Sequence, residues 1–309
     1  MVTLLYSHEA CIDHNPGQGH PERPARLEAV LSALEEAEFS GLERREAPLA
    51  SRDQVIRVHG AAYHDQVMAA IPEQGQRGLD ADTIVSPRSG EAALRAAGAV
   101  CAAVDTVMAG EAKNAFCAVR PPGHHAEPER AMGFCLFNSV ANGALQAREV
   151  HGAHRVAVVD FDVHHGNGTQ AMFWDDPDLF FASSHQMPLY PGTGSPNETG
   201  SANNILNLPL HPMSGSDEFR IVMSQTLLPR LAKFQPDFVL ISAGFDAHED
   251  DPLAGLRFHE EDFGWATTEI LRVAESACGG RVVSTLEGGY DLDALAVSAA
   301  AHVRALLAA

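Results

Sequence analysis

No apolar run in this 309-residue chain approaches the roughly 20 residues that a membrane-crossing helix requires, so no span is expected. The first residues, Met1-Val2-Thr3-Leu4-Leu5-Tyr6-Ser7-His8, lack a basic leader and a small-residue cleavage site. They read as a first strand and not as a signal peptide. Cysteine is sparse: Cys11, Cys101, Cys117, Cys135 and Cys278 are scattered, odd in number and free of any Cys-x-x-Cys. That argues against a disulfide framework and fits buried free thiols in a reducing cytoplasm. Basic charge is also short, with 21 Lys and Arg against 41 Asp and Glu and a formal net charge of -20. Nucleic-acid binding through phosphate neutralisation is therefore not expected. Such a field could draw in a cationic substrate, but a generally acidic, soluble protein is the better reading of the charge. Linkers, internal repeats and low-complexity tracts are missing too, which leaves residues 1–309 as one large α/β domain.

What is present centres on Arg155 to Thr169, RVAVVDFDVHHGNGT. Val156-Ala157-Val158-Val159 reads as a buried strand. Asp160, Asp162 and His164 follow at alternate positions and share one face if the backbone stays extended. His165 and then Gly-Asn-Gly end the run. Two carboxylates and two imidazoles after an apolar strand are costly to bury unless something pairs with them. A bound cation resolves the cost, and oxygen and nitrogen donors without thiolate suit Zn(II), Fe(II) or Mn(II).

Around this stretch strands and helices alternate. Helices are expected from Leu27 to about Glu38, once or twice within Asp53–Ile71, and over Ser89–Ala109, Asn138–Val150 and Thr169–Phe173. Others follow from Ser214–Glu218 to about Phe234, over Glu260–Ala277 and over Asp291–Leu307. Strands are expected at Ala115–Val119, Leu179–Ser183, Ile205–Leu210, Asp237–Ala243 and Arg281–Leu286, and Gln74–Arg88 reads as a surface loop. The order predicts a mostly parallel central sheet with helices on both faces. Polar residues gather after the strands that end near Val119, Val159, Ser183, Ala243 and Leu286, the carboxyl edge where such sheets bind ligands.

Asp162 and His164 are candidate metal ligands from one strand end, and Asp246 is a natural third from another. Three ligands leave a position open for water or substrate. His124 and His125, in a loop stiffened by Pro121 and Pro122, offer a general base and a second imidazole for charge or proton delivery. Asp160 and Asn167 are available to orient them. Tyr290 follows two glycines and can offer its hydroxyl to a developing oxyanion.

Together these stretches resemble the histone deacetylase family, within the arginase-deacetylase fold. The matching segments are Arg120-Pro121-Pro122-Gly123-His124-His125-Ala126, Gly133-Phe134-Cys135, Asp160 to Gly168, Ser242 to Asp246, Asp251-Pro252-Leu253 and Gly288-Gly289-Tyr290. His20-Pro21-Glu22-Arg23-Pro24 and Asn167 bring the chain nearest to the class II-type and bacterial histone-deacetylase-like amidohydrolases. The resemblance implies Zn2+ on Asp162, His164 and Asp246. It implies His124 and His125 as the catalytic pair backed by Asp160 and Asn167, and Tyr290 as the group that polarises the carbonyl. It further implies K+ at Asp160, Asp162, His164, Ser183 and Ser184, mostly through main-chain oxygens. An acyl-lysine tunnel would be lined by Gly133, Phe134, Tyr190 and Leu253. Tyr190 departs from the Phe that many relatives carry. Asp82 matches a rim aspartate, and Arg26 an arginine near an internal channel.

The implied reaction is hydrolysis of N-ε-acetyl-lysine in a peptide or protein. The nearest alternative is deacetylation of an acetylpolyamine or another small acetylated amine. Leu253 at the gate favours lysine, whereas Glu249, Asp250 and Asp251 beside it keep the polyamine open. A dimanganese ureohydrolase on the same fold would need a second set of bridging aspartates. A silent acyl-lysine-binding module would be expected to lose a ligand or Tyr290. Oligomeric state stays open, with a homo-oligomer allowed.

Overall fold

The computed structural model describes residues 2–309. Met1, the first residue of the expected opening strand, lies outside them. The strands are β1 (Val2–Ser7), β2 (Leu42–Glu46), β3 (Arg77–Gly78), β4 (Ile84–Val85), β5 (Ala112–Cys117), β6 (Val156–Asp160), β7 (Leu179–Gln186), β8 (Ile205–Leu210), β9 (Phe238–Ala243) and β10 (Val282–Leu286). Eight of them form one sheet in the order β2-β1-β5-β10-β9-β6-β7-β8. Every pairing in it is parallel. Strands β6, β7, β9 and β10 are buried along their whole length, as expected for a sheet covered on both faces.

The covering helices start and stop on identifiable chemistry. Asn138 caps the helix Ser139–Glu149 by accepting from Ala141 N at 3.0 Å. Asp291 caps Leu292–Leu307 through Asp293 N and Ala294 N. Gly279, in the left-handed region at φ 64°, ends Glu260–Cys278. Among the described residues no helix is long and apolar enough to cross a membrane.

Four departures from the sequence reading have physical causes. The first long helix stops at Ala33, where Arg44 donates to the freed carbonyl of Leu34 at 2.5 Å and Glu36 turns extended. A short 3-10 turn, Ala37–Phe39, replaces its last expected turn. Strand β2, Leu-Glu-Arg-Arg-Glu, shows no apolar alternation because it is an edge strand whose charged side chains face water. The loop Gln74–Arg88 contains the short antiparallel pair β3–β4. Between Ser216 and Phe234 the helix widens into a π turn at Met223–Leu227, just before Pro229, which has no amide hydrogen for the ladder.

The central strands β5, β10, β9, β6 and β7 are neighbours, so the segments after Cys117, Leu286, Ala243, Asp160 and Gln186 converge at one sheet edge.

Candidate active site

Strand β6 ends at Asp160, but the alternation continues past it through side-chain contacts. Asp162 N donates to Asp160 Oδ1 at 3.1 Å, and His164 N donates to Asp162 Oδ1 at 2.9 Å. Asp246, from the end of β9, accepts from Val163 N at 2.9 Å. These contacts bring one ligand atom each from Asp162, His164 and Asp246 within 4.8 Å of one another. His164 Nδ1 lies 3.1 Å from Asp162 Oδ1 and 3.1 Å from Asp246 Oδ2. Burial alone would lower the His164 pKa, but the two carboxylates prevail and raise it to about 10. Two carboxylates and one imidazole aimed at a common point are a donor set that fits Zn2+. Gly288 belongs to the same construction, since a Cβ there would sit 2.0 Å from Asp246 Oδ2.

His124 and His125 lie side by side, with ring centroids 4.0 Å apart, and both are buried. His124 Nδ1 meets Asp160 Oδ2 at 2.9 Å, and its Nε2 lies 3.8 Å from Asp162 Oδ2. His125 Nδ1 meets Asn167 Oδ1 at 2.8 Å. Burial opposes charge on both rings, but their neighbours differ. Asp162 and Asp160 overcome burial at His124 and raise it to about 10. At His125 burial is joined by the charges on His124 and His164, and the pKa falls well below the usual value. The neighbours therefore favour a proton on His124 and oppose one on His125.

Tyr290 is buried beside Phe134, with ring centroids 5.9 Å apart. Its backbone is clamped from two sides. Arg26 donates to the carbonyls of Glu287 and Gly289 at 2.5 Å each, and its guanidinium lies 4.8 Å from the Tyr290 ring centroid. Asp251 Oδ2 accepts from Tyr290 N at 2.7 Å, while its Oδ1 accepts from Leu253 N at 3.0 Å.

Of the expected tunnel residues, Gly133 and Tyr190 stand against the histidines and Phe134 stands against Tyr290. Gly133 has φ 56°, and a Cβ there would fall 2.4 Å from the His125 ring, so only glycine lets the two segments meet. The Tyr190 ring stands edge-on to His125 at 5.2 Å and to His164 at 6.3 Å. Phe134 N donates to Thr83 Oγ1 at 3.1 Å, and His20 packs on the Phe134 ring while reaching Asp82 O at 3.0 Å. Asp82 is thus held, half-buried, next to this wall. Of the expected K+ positions, Ser183 Oγ meets His185 Nδ1 at 2.9 Å, and Ser184 Oγ is buried without a partner.

His165 is not part of the metal cluster. It turns to Thr193 Oγ1 at 2.7 Å and Gln170 Oε1 at 3.0 Å, and so anchors the loop that follows Tyr190. Conversely, the site contains carboxylates that the sequence reading missed. Glu287 accepts from Gly123 N at 2.6 Å and His124 N at 3.1 Å, and burial pushes it up to about 7. Glu22 binds Arg120, Arg26 and His14 in a fully buried cluster. Glu127 binds Asn167 Nδ2 at 2.8 Å. Glu287 had a legible signal, because it ends an apolar strand just as Asp160 does.

This geometry has close counterparts. The sequence profile described as the histone deacetylase domain matches residues 20–306. The chain is 41% identical to "Histone deacetylase 14, chloroplastic" of Arabidopsis thaliana, over 98% of this chain and 76% of that protein. It is 40% identical to "Histone deacetylase-like amidohydrolase" of Pseudomonas aeruginosa, over 88% of this chain and 73% of that one. The crystal structure of the HDA15 HD domain superposes with a TM-score of 0.94 at 34% identity, covering 99% of this chain and 88% of that one. Matched in sequence along nearly its whole length, and in fold by a solved HD domain, the chain belongs to the histone deacetylase family and is a hydrolase.

Proposed function

We propose that this hydrolase removes the acetyl group from N-ε-acetyl-lysine in peptides or proteins, with one Zn2+ held by Asp162, His164 and Asp246. Residues 1–309 act as a single catalytic domain in this reading. The observation that carries it is the asymmetry of the adjacent imidazoles beside the Asp-His-Asp cluster. Zn2+, when bound, supplies Lewis acidity toward the acetamide carbonyl and toward water.

The chain's own residues then divide the work. Asn167 Oδ1 can only accept, so His125 carries its proton on Nδ1 and presents the Nε2 lone pair as general base. His125 takes a proton from the attacking water and returns it to the leaving amine. His124, protonated against Asp160, supplies positive charge where the carbonyl oxygen becomes negative. The Tyr290 hydroxyl donates to that same oxygen. Acetate and a free amine leave. K+ behind the site, at Asp160, Asp162, His164, Ser183 and Ser184, is part of the proposal, and the unpartnered buried hydroxyl of Ser184 supports it.

An acetylpolyamine is the second reading, favoured by the acidic pair Asp80 and Asp82 near the wall, which suits a distal ammonium. Two observations favour lysine: Asp251 is turned inward onto backbone amides, and Glu249 faces His259 at 3.4 Å. Leu253, the residue expected at the gate, carries no charge to meet a second ammonium. The five cysteines are free and buried, which supports a reducing compartment such as the cytoplasm. A parallel assay of an acetyl-lysine peptide and acetylspermidine, with chelator and zinc add-back, tests the reading. Peptide preference that disappears on chelation is expected. Higher kcat/KM on acetylspermidine would replace lysine with the polyamine.

A further inference from the structure

The general base assigned above depends on which nitrogen of His125 carries the proton. That depends in turn on which way the Asn167 amide points. Asn167 Nδ2 donates to Glu127 Oε1 at 2.8 Å, with Met132 Sδ at 3.4 Å and His125 O at 3.5 Å as further acceptors. A carboxylate accepts and cannot donate. A flipped amide would set its oxygen against the Glu127 carboxylate and its NH2 against His125 Nδ1. The Glu127 backbone is held in place: it pairs with Arg130, and its carbonyl accepts from His59 Nδ1 at 3.0 Å. Asn138 N donates to His59 Nε2 at 2.9 Å, which settles that donor direction.

We propose that Glu127 is a positioning residue which, by orienting the Asn167 amide, holds His125 in the Nδ1–H form with Nε2 free to act as base. This rests on the deacetylase reading for its catalytic consequence, but the tautomer itself does not. It also gives a reason for an amide, not a carboxylate, at position 167. Two carboxylates 2.8 Å apart would repel, whereas the amide bridges anion and imidazole.

The same device recurs nearby. Gln170 Nε2 donates to Glu198 Oε2 at 2.6 Å, which leaves Gln170 Oε1 to accept from His165 Nε2 at 3.0 Å. There the opposite nitrogen faces the amide, so His165 takes the Nε2–H form. The glutamate-amide-histidine relay therefore sets a tautomer at two positions, and the chain selects which one by which nitrogen it turns toward the amide.

The test pairs kinetics with spectroscopy. Histidine 15N–1H long-range spectra, with His125 assigned by the peak lost in His125→Ala, should show Nδ1–H in the wild type and a mixture in Glu127→Ala. In turnover, Asn167→Asp should lower kcat about 10-fold, the lower end for a residue that orients a catalytic group, with KM nearly unchanged. In the Glu127→Gln background the same substitution should cost under about threefold, because an amide at 127 can donate to the introduced carboxylate. Pure Nδ1–H in Glu127→Ala would overturn the proposal, as would an equal cost of Asn167→Asp in both backgrounds. If the wild type turns over neither acetylated substrate, the functional reading fails, and the spectra still decide the role of Glu127.

Discussion

Two regions of the molecule bury a histidine and push its pKa in opposite directions. His302, on the helix Leu292–Leu307, is fully buried between the helix Glu260–Cys278 and β10. Its Nδ1 meets Thr267 Oγ1 at 2.6 Å and its Nε2 meets Ser284 Oγ at 2.7 Å. Thr267 spends its own proton on Phe263 O, so His302 donates from Nδ1 and accepts at Nε2. With hydroxyls for neighbours, burial decides, and the pKa falls to about 3. At the strand ends His164 is nearly as buried, but carboxylates face it, and its pKa rises to about 10. Between these two histidines, depth does not decide the charge; the partners do.

Neutralising a partner is the most severe way to break that contrast. Asp246→Asn leaves His164 with one carboxylate and an amide, closer to the environment of His302. We expect zinc content, read by elemental analysis, to fall together with kcat/KM, which should drop by more than the roughly 100-fold upper range for residues that only support ligands. Full activity with full zinc occupancy would remove Asp246 from the metal site.

Tyr290→Phe comes next. It deletes a hydroxyl while the ring keeps its place between Phe134 and Arg26. Loss of a single oxyanion donor costs roughly 100-fold in kcat. Zinc content should stay at the wild-type level, which separates this variant from Asp246→Asn. A change in KM alone would mean that the hydroxyl binds substrate without stabilising the developing charge.

These two residues were legible in the sequence because each stands where an apolar run stops. Asp162, His164 and Asp246 follow β6 and β9, and Tyr290 follows β10 after two glycines. Apolar strands with polar ends, alternating with helices, point to a parallel sheet and its binding edge. What escaped depends on three-dimensional pairing. His165 stands in the same run as His164, yet it turns to Thr193 on the next loop. Asp251 looks like an exposed gate acid in Glu-Asp-Asp-Pro-Leu, yet it is turned onto the amides of Tyr290 and Leu253. Glu127 has no strand end to announce it, because its partner Asn167 is 40 residues away. Edge strand β2 escaped for a different reason: one pairing partner and a wet face leave no apolar alternation to read.

The core side of the contrast predicts a pH effect. A histidine whose folded pKa is about 3 stays neutral in the native state while the unfolded chain, near 6.5, binds a proton. The unfolded state therefore holds more protons between those values, and stability falls as pH drops below about 6.5. At pH 5, His302 alone should account for about 2 kcal/mol of that loss. His302→Gln can keep both hydroxyl contacts without titrating. Urea midpoints for the two proteins should therefore converge as pH falls from 7 to 5. A constant gap would mean that His302 does not titrate between the folded and unfolded states.

The smallest effect is expected at the mouth, where neither rule applies. Tyr190 is 39% exposed, and its ring stands edge-on to His125 and His164. An exposed hydroxyl exchanges a protein partner for water at little net free energy. Tyr190→Phe should therefore change kcat/KM on an acetyl-lysine peptide by less than about threefold, below the value of one net hydrogen bond. Tyr190→Ala removes the ring that walls the histidines and should act mainly through KM. If instead the Phe variant loses 10-fold or more, the hydroxyl contacts substrate directly, and polarity at the mouth would then influence acyl choice as strongly as the buried carboxylates influence the histidines beneath it.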